Sequence, residues 1–117
     1  MNFEGIRGTI IVPTSDTVTA GTATHVIDGY LGPLYFSVPA LEGTGTATVL
    51  GTEPLGGTVY ASVAVAESVL GRSFPAGTPM PFSGTLSLTA TTTNGTDGTQ
   101  SANRAIVYNL YYQTIKG

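Results

Sequence analysis

The residues that could do chemistry in this chain are few and badly spaced for it. The single histidine, His25, has Asp28 three positions on, a spacing that in a strand points the two side chains to opposite faces. Acid–base catalysis needs a second group held within hydrogen-bond reach, so a structural or surface role for His25 is the preferred reading. No serine sits in a Gly-x-Ser-x-Gly turn, and Ser83 in Pro-Phe-Ser-Gly has the wrong neighbours for a nucleophile. The seven carboxylates, Glu4, Asp16, Asp28, Glu42, Glu53, Glu67 and Asp97, include no close pair. Without Trp, a two-carboxylate glycosidase is not supported.

Metal and cofactor signals are equally thin. Asn94-Gly-Thr-Asp-Gly98 resembles a calcium loop only faintly, because calcium takes six to eight oxygens and this segment offers one carboxylate. A tight turn is the simpler reading. Asn94-Gly95-Thr96 matches a glycosylation sequon, which has meaning only in a secreted chain. Gly43-Thr-Gly45 lacks the third glycine and the following helix of a dinucleotide site. Cysteine is absent, which removes disulfides, thiolate catalysis and zinc–cysteine centres. The expectation is a non-enzyme with no cofactor and no metal.

Composition points to an architecture instead. The chain has 117 residues, enough for one domain with one core. It is 41% hydrophobic but only 9% charged, far below the roughly 25% usual for soluble domains. Threonine and 16 glycines supply the remaining surface and the bends, since β-branched Thr suits a half-exposed pleated sheet. The basic residues Arg7, Arg72, Arg104 and Lys116 are scattered and the net charge is −3. Neither nucleic acid nor an anionic membrane is an expected partner. No apolar run approaches the roughly 20 residues of a membrane helix, and Met1 to Arg7 does not read as a secretory signal. Synthesis in a cytoplasm is the expectation.

Gly and Pro cut the chain into strand-length segments. Gly8–Val12 reads as a strand ended by Pro13, preceded by an arm over residues 1–7. Thr22–Ile27 and Leu34–Val38 read as two further strands, with Tyr30 and Leu31 on a loop or bulge between Asp28-Gly29 and Gly32-Pro33. Thr44–Leu50 alternates Thr against Ala47 and Val49. Thr58–Val65 alternates Val59, Ala61, Val63 and Val65 against Tyr60, Ser62 and Ala64. Glu67–Leu70 suggests a helical turn stopped by Gly71, and Phe74–Phe82, with three prolines, an extended crossing. Thr85–Ala90 puts Leu86, Leu88 and Ala90 inward, and a polar loop over Thr91–Ser101 follows. About seven to eight short strands without helices predict an all-β domain over residues 8–117, an antiparallel β-sandwich or jelly-roll-like fold.

The last strand, Arg104–Ile115, is apolar on both faces. Ile106, Tyr108, Leu110 and Tyr112 have the bulk for a core, while Ala105, Val107, Asn109 and Tyr111 share the other face. A second apolar face needs a second cover, which points to a neighbouring subunit or partner. Among the aromatics, Tyr30, Tyr35, Phe36 and Tyr60 fall with Tyr108, Tyr111 and Tyr112 into core plus interface, while Phe3, Phe74 and Phe82 read as docking residues.

The order of features around Ala23-Thr-His-Val-Ile27, Thr44–Thr52, Phe74-Pro-Ala-Gly-Thr-Pro79 and Ile106-Val-Tyr-Asn-Leu-Tyr-Tyr112 resembles small β-sandwich virion proteins of tailed bacteriophages. That resemblance implies a capsid decoration or cement protein that binds the outer shell and stabilises the head. Its implied partners are the major capsid protein or another virion protein and its own copies, most often as a trimer, and its implied location is the virion surface. The expected interface residues are Phe3 and Arg7 of the arm with Val107, Asn109 and Tyr111 of the last strand. The competing reading is a carbohydrate-binding or adhesin module of a fibre or tail, with contacts from Tyr30 and the Thr91–Ser101 loop.

Overall fold

The computed structural model describes residues 4–12, 19–39, 46–61, 64–66, 69–75, 80–93 and 104–114. Among them the chain is all-β, with strands β1 (Glu4–Val12), β2 (Thr19–Ser37), β3 (Thr46–Thr52), β4 (Thr58–Tyr60), β5 (Val65–Ala66), β6 (Leu70–Ser73), β7 (Met80–Thr93) and β8 (Arg104–Thr114). All pair antiparallel, in the order β1-β8-β2-β7-β3-β4, with β5 beside β3 and β6 beside β2. No described helix is long and apolar enough to cross a membrane.

Strand β2 turns this one ladder into two layers. Its first part, Thr19 to Leu31, pairs with β7, and its last part, Leu34 to Ser37, lies between β8 and β6. Gly29 to Leu31 pair on both sides. The layers are therefore β1-β8-β2-β6 and β2-β7-β3-β4, joined through the bend. Between Leu31 and Leu34 the register with β8 shifts. A bulge of this kind adds a residue to one strand and changes which alternate residues face inward. Before it Ile27 and Leu31 are buried; after it Leu34, Phe36 and Val38 are.

The core fills the space between the layers. Ile10, Val12, Ile106, Tyr108 and Leu110 come from one side, and Ala47, Val49, Leu86, Leu88 and Ala90 from the other. Each fully buried Leu or Ile contributes about 1.5 to 3 kcal/mol from removal of apolar area from water. Tight contact replaces bulk at chosen places. A Cβ on Gly21 would overlap the main-chain carbonyl of Ile11, so the absence of a side chain lets β1 lie against β2.

Several expectations need correction. The segment 4–7 belongs to β1 and pairs with Asn109 to Tyr112, so from Glu4 onward the expected arm is part of the sheet. The two strands expected over 22–38 are one strand of 19 residues. Gly29 makes no turn because it pairs with β7 and β8 at once, and Gly32-Pro33 fall in the bulge between Leu31 and Leu34. The segment 58–65 is not one alternating strand: Val59 and Tyr60 are both buried and β4 ends at Tyr60. Leu70 and Gly71 open β6 instead of closing a helical turn, because Gly71 pairs with Phe36 and packs under its ring. The final strand keeps its expected inner row, with Tyr112 partly buried against the core. The expected polar loop over Thr91–Ser101 starts later, because Thr91 to Thr93 continue β7; its remainder, with Met1 to Phe3, Pro13, Glu67, Gly77 and Pro79, lies outside the described residues.

Candidate functional site

The sequence-predicted contact residues of the last strand assemble on the outer surface of the β1-β8-β2-β6 layer. Pairing across this layer sets them in rows, because cross-strand partners project to the same side. Arg7 is opposite Asn109, Asn109 opposite Tyr35, and Tyr35 opposite Arg72, so one row crosses all four strands. The neighbouring row is Thr9, Val107, Ser37 and Leu70. Beyond Asn109 on β8, Tyr111 stands over Gly5 and meets Tyr35 edge-on, with ring centroids 5.8 Å apart and planes at 83°.

This face is open and chemically mixed. Tyr35 is 40% exposed and Leu70 78%, while Val107, Asn109 and Tyr111 are half-buried. One groove of about 290 Å³ is lined by Arg7, Tyr35, Ser37, Leu70, Val107 and Asn109, with Phe36 at its floor. A second, of about 370 Å³, lies between Tyr35, Leu70, Gly71 and Arg72. Tyr35 and Leu70 thus form a ridge with a groove on each side. Neither groove is lined by a carboxylate, and among the described residues neither Arg7 nor Arg72 has an ion-pair partner.

Of the expected interface residues, Arg7, Val107, Asn109 and Tyr111 share this surface, and Phe3 lies outside the described residues. Tyr35, expected as core or interface, also lies on it, together with Leu70 and Arg72, for which no contact role was expected. Alternation of Leu34, Phe36 and Val38 inward was a usable signal for Tyr35. Arg72 had none, because its place depends on the β2–β6 register across more than thirty residues of chain. Two other expectations fail. Tyr30 is a half-buried strand residue opposite Pro81 and Gln113, not a loop aromatic, and Phe82 is buried in the core. Phe74 is exposed.

The histidine has structural work. His25 Nε2 lies 2.5 Å from Tyr108 Oη, and burial lowers the imidazole pKa from its ordinary 6.5 while raising that of the phenol. Asp28 is exposed on the opposite side of β2. Among the described residues no three His, Asp or Glu side chains gather where a metal ion could be held.

Comparison with known proteins places the fold. No family model matches the chain, and no curated protein matches it in sequence. Among solved structures it is similar to a carbohydrate-binding module, TmCBM61, solved in complex with beta-1,4-galactotriose. The TM-score is 0.57 at 8% identity, over 95% of this chain and 88% of that one. The chain is therefore an all-β protein of β-sandwich type. Structures of infectious bursal disease virus, Gt and Gx strains, match with TM-scores of 0.41 and 0.36 at 12% identity, and the chain spans 32% and 37% of their lengths.

Proposed function

We propose that this chain is a non-enzymatic virion structural protein, a decoration protein that docks on the outer capsid shell through the face of the β1-β8-β2-β6 layer. The observation that supports it is the Arg7–Asn109–Tyr35–Arg72 row with Tyr111, Val107 and Leu70 beside it. Tyr and Arg are the side chains that dominate binding energy at protein interfaces, while Lys, Glu and Asp are depleted there. The row has that composition and sits on sheet strands, so it meets a partner already ordered. Self-association into a closed trimer at a symmetry axis belongs to the same proposal.

Co-sedimentation with empty capsids of the encoding virus tests it. The wild-type chain should pellet with shells, and the Tyr35→Ala, Tyr111→Ala double variant should remain in the supernatant.

A second reading, a carbohydrate-binding module, is favoured by one observation. Tyr35 offers an apolar ring between two shallow grooves with Asn109 and arginines in reach, which suits a sugar's apolar face and hydroxyls. The fold it shares with a module crystallised with a galactotriose makes neutral β-galactan the first ligand to try. Saturable binding on a glycan array, abolished by Tyr35→Ala and accompanied by no capsid binding, would decide for this reading.

A further inference from the structure

The charge on this face is more specific than its apolar content. The chain has four basic residues against seven acidic ones. Two of the four, Arg7 and Arg72, line the grooves on either side of Tyr35, although 64 intervening residues separate them in sequence. They occupy the two ends of a row that crosses β1, β8, β2 and β6. Three inter-strand steps of about 4.8 Å set their backbones about 14 Å apart. Between them stand only neutral groups, Asn109 and Tyr35.

We propose that the partner surface received by this face is acidic, with carboxylates from two positions that reach Arg7 and Arg72 across the Tyr35 ridge. This rests on the docking reading above and names the chemistry of the shell surface that reading requires. Guanidinium groups pair with carboxylates through two parallel hydrogen bonds, which fixes orientation as well as attraction. The net charge of −3 makes the complementarity selective. The net negative charge repels an acidic partner while the two arginines of this face attract it, which favours docking in one orientation. Asn109 can donate to or accept from a main-chain group between the two carboxylates. Tyr35 and Tyr111 supply the apolar contact that excludes water around them.

The experiment is capsid binding of the full chain over a series of sodium chloride concentrations, with three proteins: wild type, Arg7→Gln with Arg72→Gln, and Tyr35→Ala with Tyr111→Ala. Wild-type affinity should fall with salt, and the arginine variant should bind about tenfold or more weakly at low salt with a flattened salt dependence. If the tyrosine variant loses binding while the arginine variant keeps the wild-type affinity and salt slope, the acidic partner is wrong and the docking face stands. If neither variant changes capsid binding, the docking face itself is wrong. Polygalacturonate and poly-L-glutamate serve as competitors. Displacement by poly-L-glutamate supports a carboxylate-bearing protein surface, whereas tight binding of polygalacturonate with no affinity for capsids overturns the proposal in favour of an acidic glycan.

Discussion

His25 and Tyr108 join the two layers of the sandwich through one hydrogen bond, Nε2 to Oη at 2.5 Å, with the rings edge-on at 5.7 Å. His25 belongs to the first part of β2 and Tyr108 to β8, in different layers. The contact satisfies the one polar atom of a tyrosine that is otherwise buried in the core. A group that titrates near neutrality thereby becomes part of the packing.

That placement makes stability depend on pH. Burial lowers the His25 pKa below its ordinary 6.5, so the folded protein holds the neutral ring while the unfolded chain takes up a proton near 6.5. The stabilisation is complete above the unfolded value and is lost as pH falls from there through the folded one. The thermal midpoint should decline on acidification below about pH 6.5, and His25→Gln should remove that part of the decline. An identical slope in wild type and variant would show that the imidazole is not the group responsible.

Close approach of strands sets a second test. Gly21→Ala places a methyl group against the Ile11 carbonyl, and Gly71→Ala places one against the Phe36 ring and Val65. Overpacking of this kind costs about 1 to 3 kcal/mol. Both variants should unfold at lower denaturant concentration than wild type. Unchanged midpoints would mean that β1 does not lie against β2 and that β6 does not seal the core.

Tyr60 is fully buried and donates its hydroxyl to the Gly32 carbonyl at 2.6 Å, which ties β4 to the bulge of β2. Burial raises its pKa well above the usual tyrosine value. Tyr60→Phe keeps the ring and removes the donor, leaving a buried acceptor short of a partner at a cost of about 1 to 3 kcal/mol. Calorimetric melting should show the loss. A midpoint equal to wild type would indicate that the bulge is held by its ladder bonds alone.

Much of this fold was legible in the chain. Thr85–Ala90 and Thr46–Val49 alternate as they are buried, because each strand has one wet and one dry face and the side chains record it. The inner and outer rows of β8 were legible for the same reason. Turn signals misled where tertiary contact overrode them: Asp28-Gly29 is paired into the ladder, and Gly32-Pro33 bulges within a continuous strand instead of reversing the chain. Tyr60 was legible as a core or interface aromatic but not its face, because β4 ends at Tyr60 and Val59 and Tyr60 are both buried instead of alternating. The arginine pair escaped detection, since only the β1–β8, β8–β2 and β2–β6 registers bring Arg7 and Arg72 into one row.

The outer-face tyrosines should separate binding from folding. Tyr35→Ala with Tyr111→Ala alters a surface outside the core but removes the edge-on ring pair, at a cost of about 0.5 to 1.5 kcal/mol. Its urea midpoint should fall by no more than that cost while capsid binding is lost. A variant that unfolds much earlier than wild type would show these rings to be structural.

The central claim, that the β1-β8-β2-β6 face is the docking surface, is tested most directly by a cryo-electron microscopy reconstruction of capsids decorated with the wild-type chain. Tyr35, Tyr111, Arg7 and Arg72 should be covered by the shell, with carboxylates of the shell protein beside both arginines. A reconstruction in which that face points to solvent and the Thr22, Thr24 and Val26 face meets the shell would contradict the account.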